Sequence, residues 1–191
     1  MRAAILAASL LLVVPASAQT VDERLPTCLA CHGKNGTSAI PTVPSLGRMP
    51  VNYLLSQLYL FRENIRKVDP MNAMAAGLSD DDLRTLGALF NKMPPPPPAP
   101  ALTAAEEASG ADLVQKYHCN SCHMPNLSGQ GTIPHIAGQH VEYIERALVT
   151  YKNNTRRGYS PAMNEAVQAV EDADIPLLAR YVSSFREPPA Q

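Results

Sequence analysis

The sequence predicts an all-α fold in which one helical unit is used twice. Apolar residues recur at helical spacing, as in Leu54, Leu55, Leu58, Phe61 and Ile65 between Val51 and Arg66, and few runs alternate as a strand would. Shifting the first half by about ninety positions brings its landmarks onto the second, the mark of a tandem duplication. Each copy also opens on the same pattern, Cys-x-x-Cys-His: Cys28, Cys31 and His32, then Cys119, Cys122 and His123. These two motifs use all four cysteines.

Cys-x-x-Cys-His is the attachment signature of a c-type haem. Two thiols three residues apart reach the two vinyl groups of one porphyrin and bond to them as thioethers, and the adjacent imidazole is held at the iron as its proximal ligand. Other chemistries fit less well. A zinc ribbon pairs two Cys-x-x-Cys knuckles roughly 12–20 residues apart, whereas these motifs stand about ninety positions apart and each brings its own His. A thioredoxin-like redox pair needs a βαβ context. Structural disulfides leave the histidines unexplained. Two covalently bound haem c groups are the expected cofactors.

The chain has 191 residues, 16 Lys and Arg against 17 Asp and Glu, and a formal net charge of −1. That balance excludes a nucleic-acid binder, which shows a strongly basic surface, and no polybasic run is present to hold anionic lipid. Arg2, the apolar run Ala3 to Val14 and Ala16-Ser17-Ala18 read as a cleavable export signal over residues 1–18. The run is too short to span a bilayer, which takes roughly 20 apolar residues, and no later segment qualifies. The expected location is the periplasm, where c-type attachment takes place.

The remaining chain divides into a first domain (19–93), a proline-rich linker (94–102) and a second domain (103–191). Met93-Pro94-Pro95-Pro96-Pro97-Pro98-Ala99-Pro100 lacks the N–H groups of helix or sheet and reads as an extended polyproline II spacer. In the first domain, few residues precede Cys28, so the opening helix should be brief. The helix from Val51 to Arg66 follows, and Ser79-Asp80-Asp81-Asp82 caps a helix carrying Leu83, Leu86, Leu89 and Phe90. In the second, Thr103 and Glu106 form a capping box for a helix through Leu113 and Tyr117. His140 to Tyr151 gives a middle helix, and Asp172 to Phe185 a terminal one with Pro176 near its first turn. Pro44-Ser45-Leu46 aligns with Pro134-His135-Ile136, Tyr53 with Tyr143, Phe61 with Tyr151 and Arg66 with Arg156. Gly47 falls one place from Gly138.

A haem open at its sixth position binds oxygen or peroxide, and a closed one passes electrons. The first domain has no His besides His32, which leaves Met49, Met71, Met74 and Met93 as distal candidates. Met71 is preferred because it precedes the terminal helix and matches Met163 in the repeat; Met74 is the alternative. In the second domain Met124 follows His123 too closely to reach the opposite face, leaving Met163, with His118, His135 and His140 as further donors in principle. The carbonyls of Pro44 and Pro134 are candidate acceptors for the second ring nitrogen of His32 and His123. Arg66 and Arg156 are candidates for pairing with haem propionates.

These residues resemble the cytochrome c4 family. Pro44-Ser45-Leu46-Gly47, the run Asp69 to Asp80 around Met71, and Ile136-Ala137-Gly138-Gln139-His140 carry most of the similarity, which covers nearly all the chain after the signal. The resemblance implies two class I cytochrome c domains related by a pseudo-twofold. It implies electron transfer in the periplasm toward terminal oxidases, proximal ligands at His32 and His123, and distal ligands at Met71 and Met163.

The expected function is a diheme electron carrier, not an enzyme, cycling both irons between Fe(II) and Fe(III). Expected partners are redox proteins: a membrane oxidase or reductase, or a dehydrogenase subunit. An electron-accepting subunit of a dehydrogenase complex, similar to the diheme subunit of flavocytochrome c sulfide dehydrogenase, is the alternative. A diheme peroxidase is a third reading, requiring one haem to lose its Met. Residues 19–93 carry eight basic and seven acidic side chains and residues 101–191 seven and ten, an asymmetry that bears on how partners orient.

Overall fold

A computed structural model describes residues 20–156 and 161–186; the export signal lies outside them. The described residues form an all-α protein whose one β feature is the isolated bridge between Gln130 and Ile133. The first half contains α1 (Val21–His32), α2 (Val51–Arg62), α3 (Met71–Ala75) and α4 (Asp80–Lys92). The second contains α5 (Ala104–Lys116), α6 (Cys119–His123), α7 (Val141–Lys152), α8 (Ala162–Ala166) and α9 (Ile175–Ser184).

Local sequence sets the helix starts. Thr20 and Glu23, Ser79 and Asp82, and Thr103 and Glu106 each form a reciprocal capping box at the starts of α1, α4 and α5. Each box satisfies two amides that an α-helix leaves without an internal partner. Pro176 sits in the first turn of α9, where no amide donor is missed.

Three elements differ from the sequence expectation, the terminal helix least: Asp172–Asp174 form a 3-10 turn and the α-helix spans Ile175–Ser184. The opening helix is not brief: α1 runs for 12 residues because it continues through the Cys28–His32 motif. The middle helix of the first half stops at Arg62, not Arg66. Asn64 takes a left-handed conformation (φ 55°), and the amides of Ile65 and Arg66 both turn back onto the Leu60 carbonyl. Ile65 thereby leaves the apolar stripe and stands half exposed.

Each half has its own apolar core. Met49, Tyr53, Leu54, Phe61, Leu83, Leu86 and Phe90 build the first, where α2 packs across α4. Val114, Leu127, Ile144, Leu178, Ala179 and Val182 belong to the second, where α9 packs on α5 and α7. The halves are two tandem all-helical units joined by the proline-rich segment.

That segment is not a free spacer. The Pro94 carbonyl lies 2.0 Å from where a Cβ on Gly47 would stand, and the Pro96 carbonyl 2.6 Å from the same point on Gly138. The amide of Ala99 donates to the Ser183 carbonyl at 2.7 Å. Glycine recurs at these two matched places because the strap's backbone passes where any side chain would begin. Direct bonds also join the halves. The Gln139 side chain accepts from the Ser45 amide (2.9 Å) and donates to the Ser45 carbonyl (3.0 Å), at buried positions. His140 Nε2 lies 3.0 Å from the Ser38 carbonyl, and Arg146 donates to the Thr42 carbonyl.

Candidate haem-binding site

The four cysteines are unpaired; Cys31 and Cys122 are exposed, Cys28 and Cys119 partly buried. Burial pushes the Cys28 and Cys119 thiols above their usual range. Placement on α1 and α6 brings each Cys-x-x-Cys pair and its His within about one helical turn, so one flat molecule can meet all three side chains.

Behind each motif the two halves repeat one geometry. His32 Nδ1 is 2.8 Å from the Pro44 carbonyl, and His123 Nδ1 is 3.0 Å from the Pro134 carbonyl. A carbonyl can only accept, so Nδ1 carries the proton and Nε2 keeps its lone pair. Burial lowers the affinity of both rings for a second proton, which leaves them neutral. His32 is 6% exposed and His123 7%. A buried, neutral imidazole with a free Nε2 is the form that binds iron.

In the second half these groups line an apolar cleft together with Met163, Tyr143 and Arg156. Three residues of the first half, Met49, Tyr53 and Gln57, line it as well. Sequence reasoning did not place them there, although the Tyr53–Tyr143 match in the repeat was a visible signal. Met71 packs at the edge of the first core, partly buried. Met74 is 42% exposed. His135 lines the cleft one residue from the Pro134 carbonyl, His118 is exposed at the left-handed turn before α6, and His140 is engaged with the first half.

Arg66 and Arg156 converge where the halves meet. Arg66 donates to Gln57 and lies over the Phe61 ring at 4.6 Å. Arg156 donates to the Tyr143 hydroxyl at 3.1 Å and lies over Tyr151 at 4.6 Å. Burial alone would raise the Tyr143 phenol, but Arg156 and Arg66 bring it down to about 7. The Nε atoms of both arginines are buried without a hydrogen-bond partner, and among the described residues neither arginine has a carboxylate partner. Two partly buried cations, each with a buried Nε donor to spare, suit an anion. The donor set therefore fits haem: thiols for the vinyls, a neutral imidazole for iron, and guanidinium groups for propionates. Among the described residues no cluster of three or more His, Cys, Asp or Glu is placed to hold a bare metal ion.

Known proteins resemble the chain in sequence and fold. The Cytochrome c family matches residues 107–186. Cytochrome c4 of Pseudomonas aeruginosa is 32% identical over 173 residues, covering 86% of this chain and 86% of that protein. The chain belongs to the cytochrome c4 family. The crystal structure of reduced recombinant cytochrome c4 from Pseudomonas stutzeri superposes with a TM-score of 0.77 at 27% identity, covering 89% of this chain and 99% of that one. A protein of Thiomonas intermedia named thiosulfate dehydrogenase electron acceptor is 29% identical, covering 89% of this chain and 83% of its own. As a cytochrome c4 family member the chain binds covalent haem c and is an electron-transfer protein, not an enzyme.

Proposed function

We propose that this cytochrome c4-type protein carries electrons in the periplasm, with His32 and Met71 ligating one haem iron and His123 and Met163 the other. Its cleavable signal is residues 1–18, and its units are 19–93 and 103–191 around the strap 94–102. Bound haem supplies a one-electron Fe(II)/Fe(III) couple. The chain supplies the rest: Cys28, Cys31, Cys119 and Cys122 fix the macrocycles, and Pro44 and Pro134 orient the two imidazoles. Arg66 and Arg156 offset propionate charge. His/Met ligation raises the potential relative to two imidazoles and closes each iron to substrate.

The observation that carries this reading is the His–Pro carbonyl bond, made in both halves with its Nε2 left free. His135 directly follows Pro134, whose carbonyl meets His123, and Met74 is exposed, which supports Met163 and Met71 over them. The test is optical spectroscopy of ferric and ferrous protein, with and without carbon monoxide, on the parent, Met71→Ala and Met163→Ala. A parent inert to carbon monoxide, with each variant opening one haem and losing part of the weak long-wavelength ferric band of Met-bound iron, is the expected result. A carbon monoxide-reactive parent would replace the carrier reading with a catalytic one.

The relationship to a thiosulfate dehydrogenase electron acceptor favours one partner class, a dehydrogenase that hands single electrons to this chain. Stopped-flow reduction by such a dehydrogenase, compared with oxidation by a membrane oxidase, separates that role from delivery to respiration.

A further inference from the structure

We propose that Asn72 and Asn164 are positioning residues that clamp the methionine-bearing segment of each half, and so set how firmly each iron stays closed to outside ligands. The inference rests on reading Met71 and Met163 as the distal ligands. Each asparagine directly follows its methionine, and the two make the same bonds at matched places. Asn72 Nδ2 donates to the carbonyls of Phe61 and Arg66, both at 2.8 Å. Asn164 Nδ2 donates to the carbonyls of Tyr151 (3.0 Å) and Arg156 (2.9 Å). Phe61 pairs with Tyr151 and Arg66 with Arg156 in the repeat, so one side chain reaches the same two backbone atoms twice in the molecule. Asn72 Oδ1 also accepts from the Val68 amide at 2.7 Å. Asn164 has a further contact to Asn154 Oδ1 at 3.3 Å and is 9% exposed.

These bonds have a job that the helices cannot do. Helices α3 and α8 are five residues long, far below the length that holds itself in water. Their position must come from outside ties. A primary amide presents two donors and an acceptor on a short arm, enough to fasten the segment to the C-terminal turn of α2 or α7. The second carbonyl in each set belongs to Arg66 or Arg156, the two arginines whose guanidinium groups act on Tyr143. One amide thus holds the methionine segment and the arginine backbone in a fixed relation. In the second half Gln168 adds a tie, donating to the carbonyls of Asn164 (2.8 Å) and Lys152 (3.0 Å).

The test uses the haem-loaded full chain carrying Asn72→Asp or Asn164→Asp. Aspartate keeps the shape and the acceptor but loses both donors and sets an oxygen against two carbonyls. Asn72→Ser and Asn164→Ser serve should either aspartate variant fail to take up haem. Leu83→Ala and Leu127→Ala are the controls, since they weaken the cores without touching the clamp or the cleft. Carbon monoxide uptake by the ferrous protein, the ferric methionine band and hydrogen exchange of the segment after Arg66 or Arg156 are read together. The Asn variants should take up carbon monoxide about tenfold faster or more, as the loss of two net hydrogen bonds implies. Their methionine band should weaken and the local segment exchange faster, while the leucine variants stay closed. Asn variants as inert as the parent, or leucine variants that open equally at equal stability, would overturn the proposal. Met71→Ala and Met163→Ala keep the two readings apart. If they open while the Asn variants stay closed, only the clamp fails; if they too stay closed, the ligand reading fails and takes the clamp with it.

Discussion

The two halves reach their cysteines by different routes. In the first, α1 runs unbroken from its Thr20 cap through Pro26 and on to His32. In the second, α5 ends at Lys116, His118 turns left-handed, and the motif forms the separate helix α6. The residue after each histidine differs too. Gly33 holds φ 82° and ψ 148°; its counterpart Met124 holds φ 71° and ψ 158°, a region essentially reserved for glycine. Beyond that residue the halves coincide: a proline carbonyl on the histidine, an asparagine behind the methionine, an arginine over an aromatic ring. What repeats is the set of bonds behind each motif, and what varies is how the chain arrives there. The repeat has kept these bonds more strictly than the helices that lead into them.

This contrast can be broken in graded steps. Replacing Cys119 and Cys122 together by Ser should have the largest effect, leaving one covalent haem per chain by intact mass while the first motif stays loaded. Next come the cores. Leu83 is 1% and Leu178 2% exposed, so either Leu→Ala change should cost about 3 kcal/mol in urea unfolding. Equal losses would make the two cores equivalent. Gln139→Ala removes both bonds to Ser45 and leaves a buried amide and carbonyl unpaired, costing about 2 kcal/mol. Faster proteolysis within the strap would report it as loss of contact between the halves.

The glycine contrast predicts opposite signs. A Cβ on Gly33 would lie 1.8 Å from the Thr37 carbonyl, so Gly33→Ala should lower stability by about 2 kcal/mol. Met124→Gly should raise it by up to about 1 kcal/mol by releasing strain, read as a shift in the urea midpoint. The smallest effect is in acid. Hydrogen bonds from Arg180, then Thr103, bring the Glu106 carboxyl down to about 2, and bonds from Ser79 lower Asp82. For depressed carboxyls the stability is present above the ordinary carboxylate range and is lost as pH falls through the folded value. The cap of α5 should therefore hold to about pH 2, seen as retained helicity by circular dichroism.

Much of the fold was legible because it is local. Ser79 with Asp82 and Thr103 with Glu106 announce helix starts within four residues, and Cys-x-x-Cys-His announces its chemistry within five. The equally local Thr20–Glu23 box is masked by its nearness to Cys28, because the helix it starts runs on through the motif itself. The end of α2 was hidden because Ile65 continues the apolar period, while the left-handed Asn64 that ends the helix carries no pattern of its own. The contacts between halves were out of reach for another reason. Gln139 and Ser45 lie 94 positions apart, and nothing in either neighbourhood marks them as partners. The twin glycines, Gly47 and Gly138, were seen to correspond, but their cause is the carbonyl row of a third segment.

The strap gives that correspondence its consequence. A loose proline tether would leave the halves to find each other by diffusion, so exchange of an electron between them would slow in a viscous medium. Here the prolines are wedged against Gly47 and Gly138, and Gln139 is bonded to Ser45 on the far side of the seam. The molecule is built less like two carriers on a leash than like one two-electron reservoir. Its internal step should be unimolecular, unaffected by dilution and nearly blind to added glycerol.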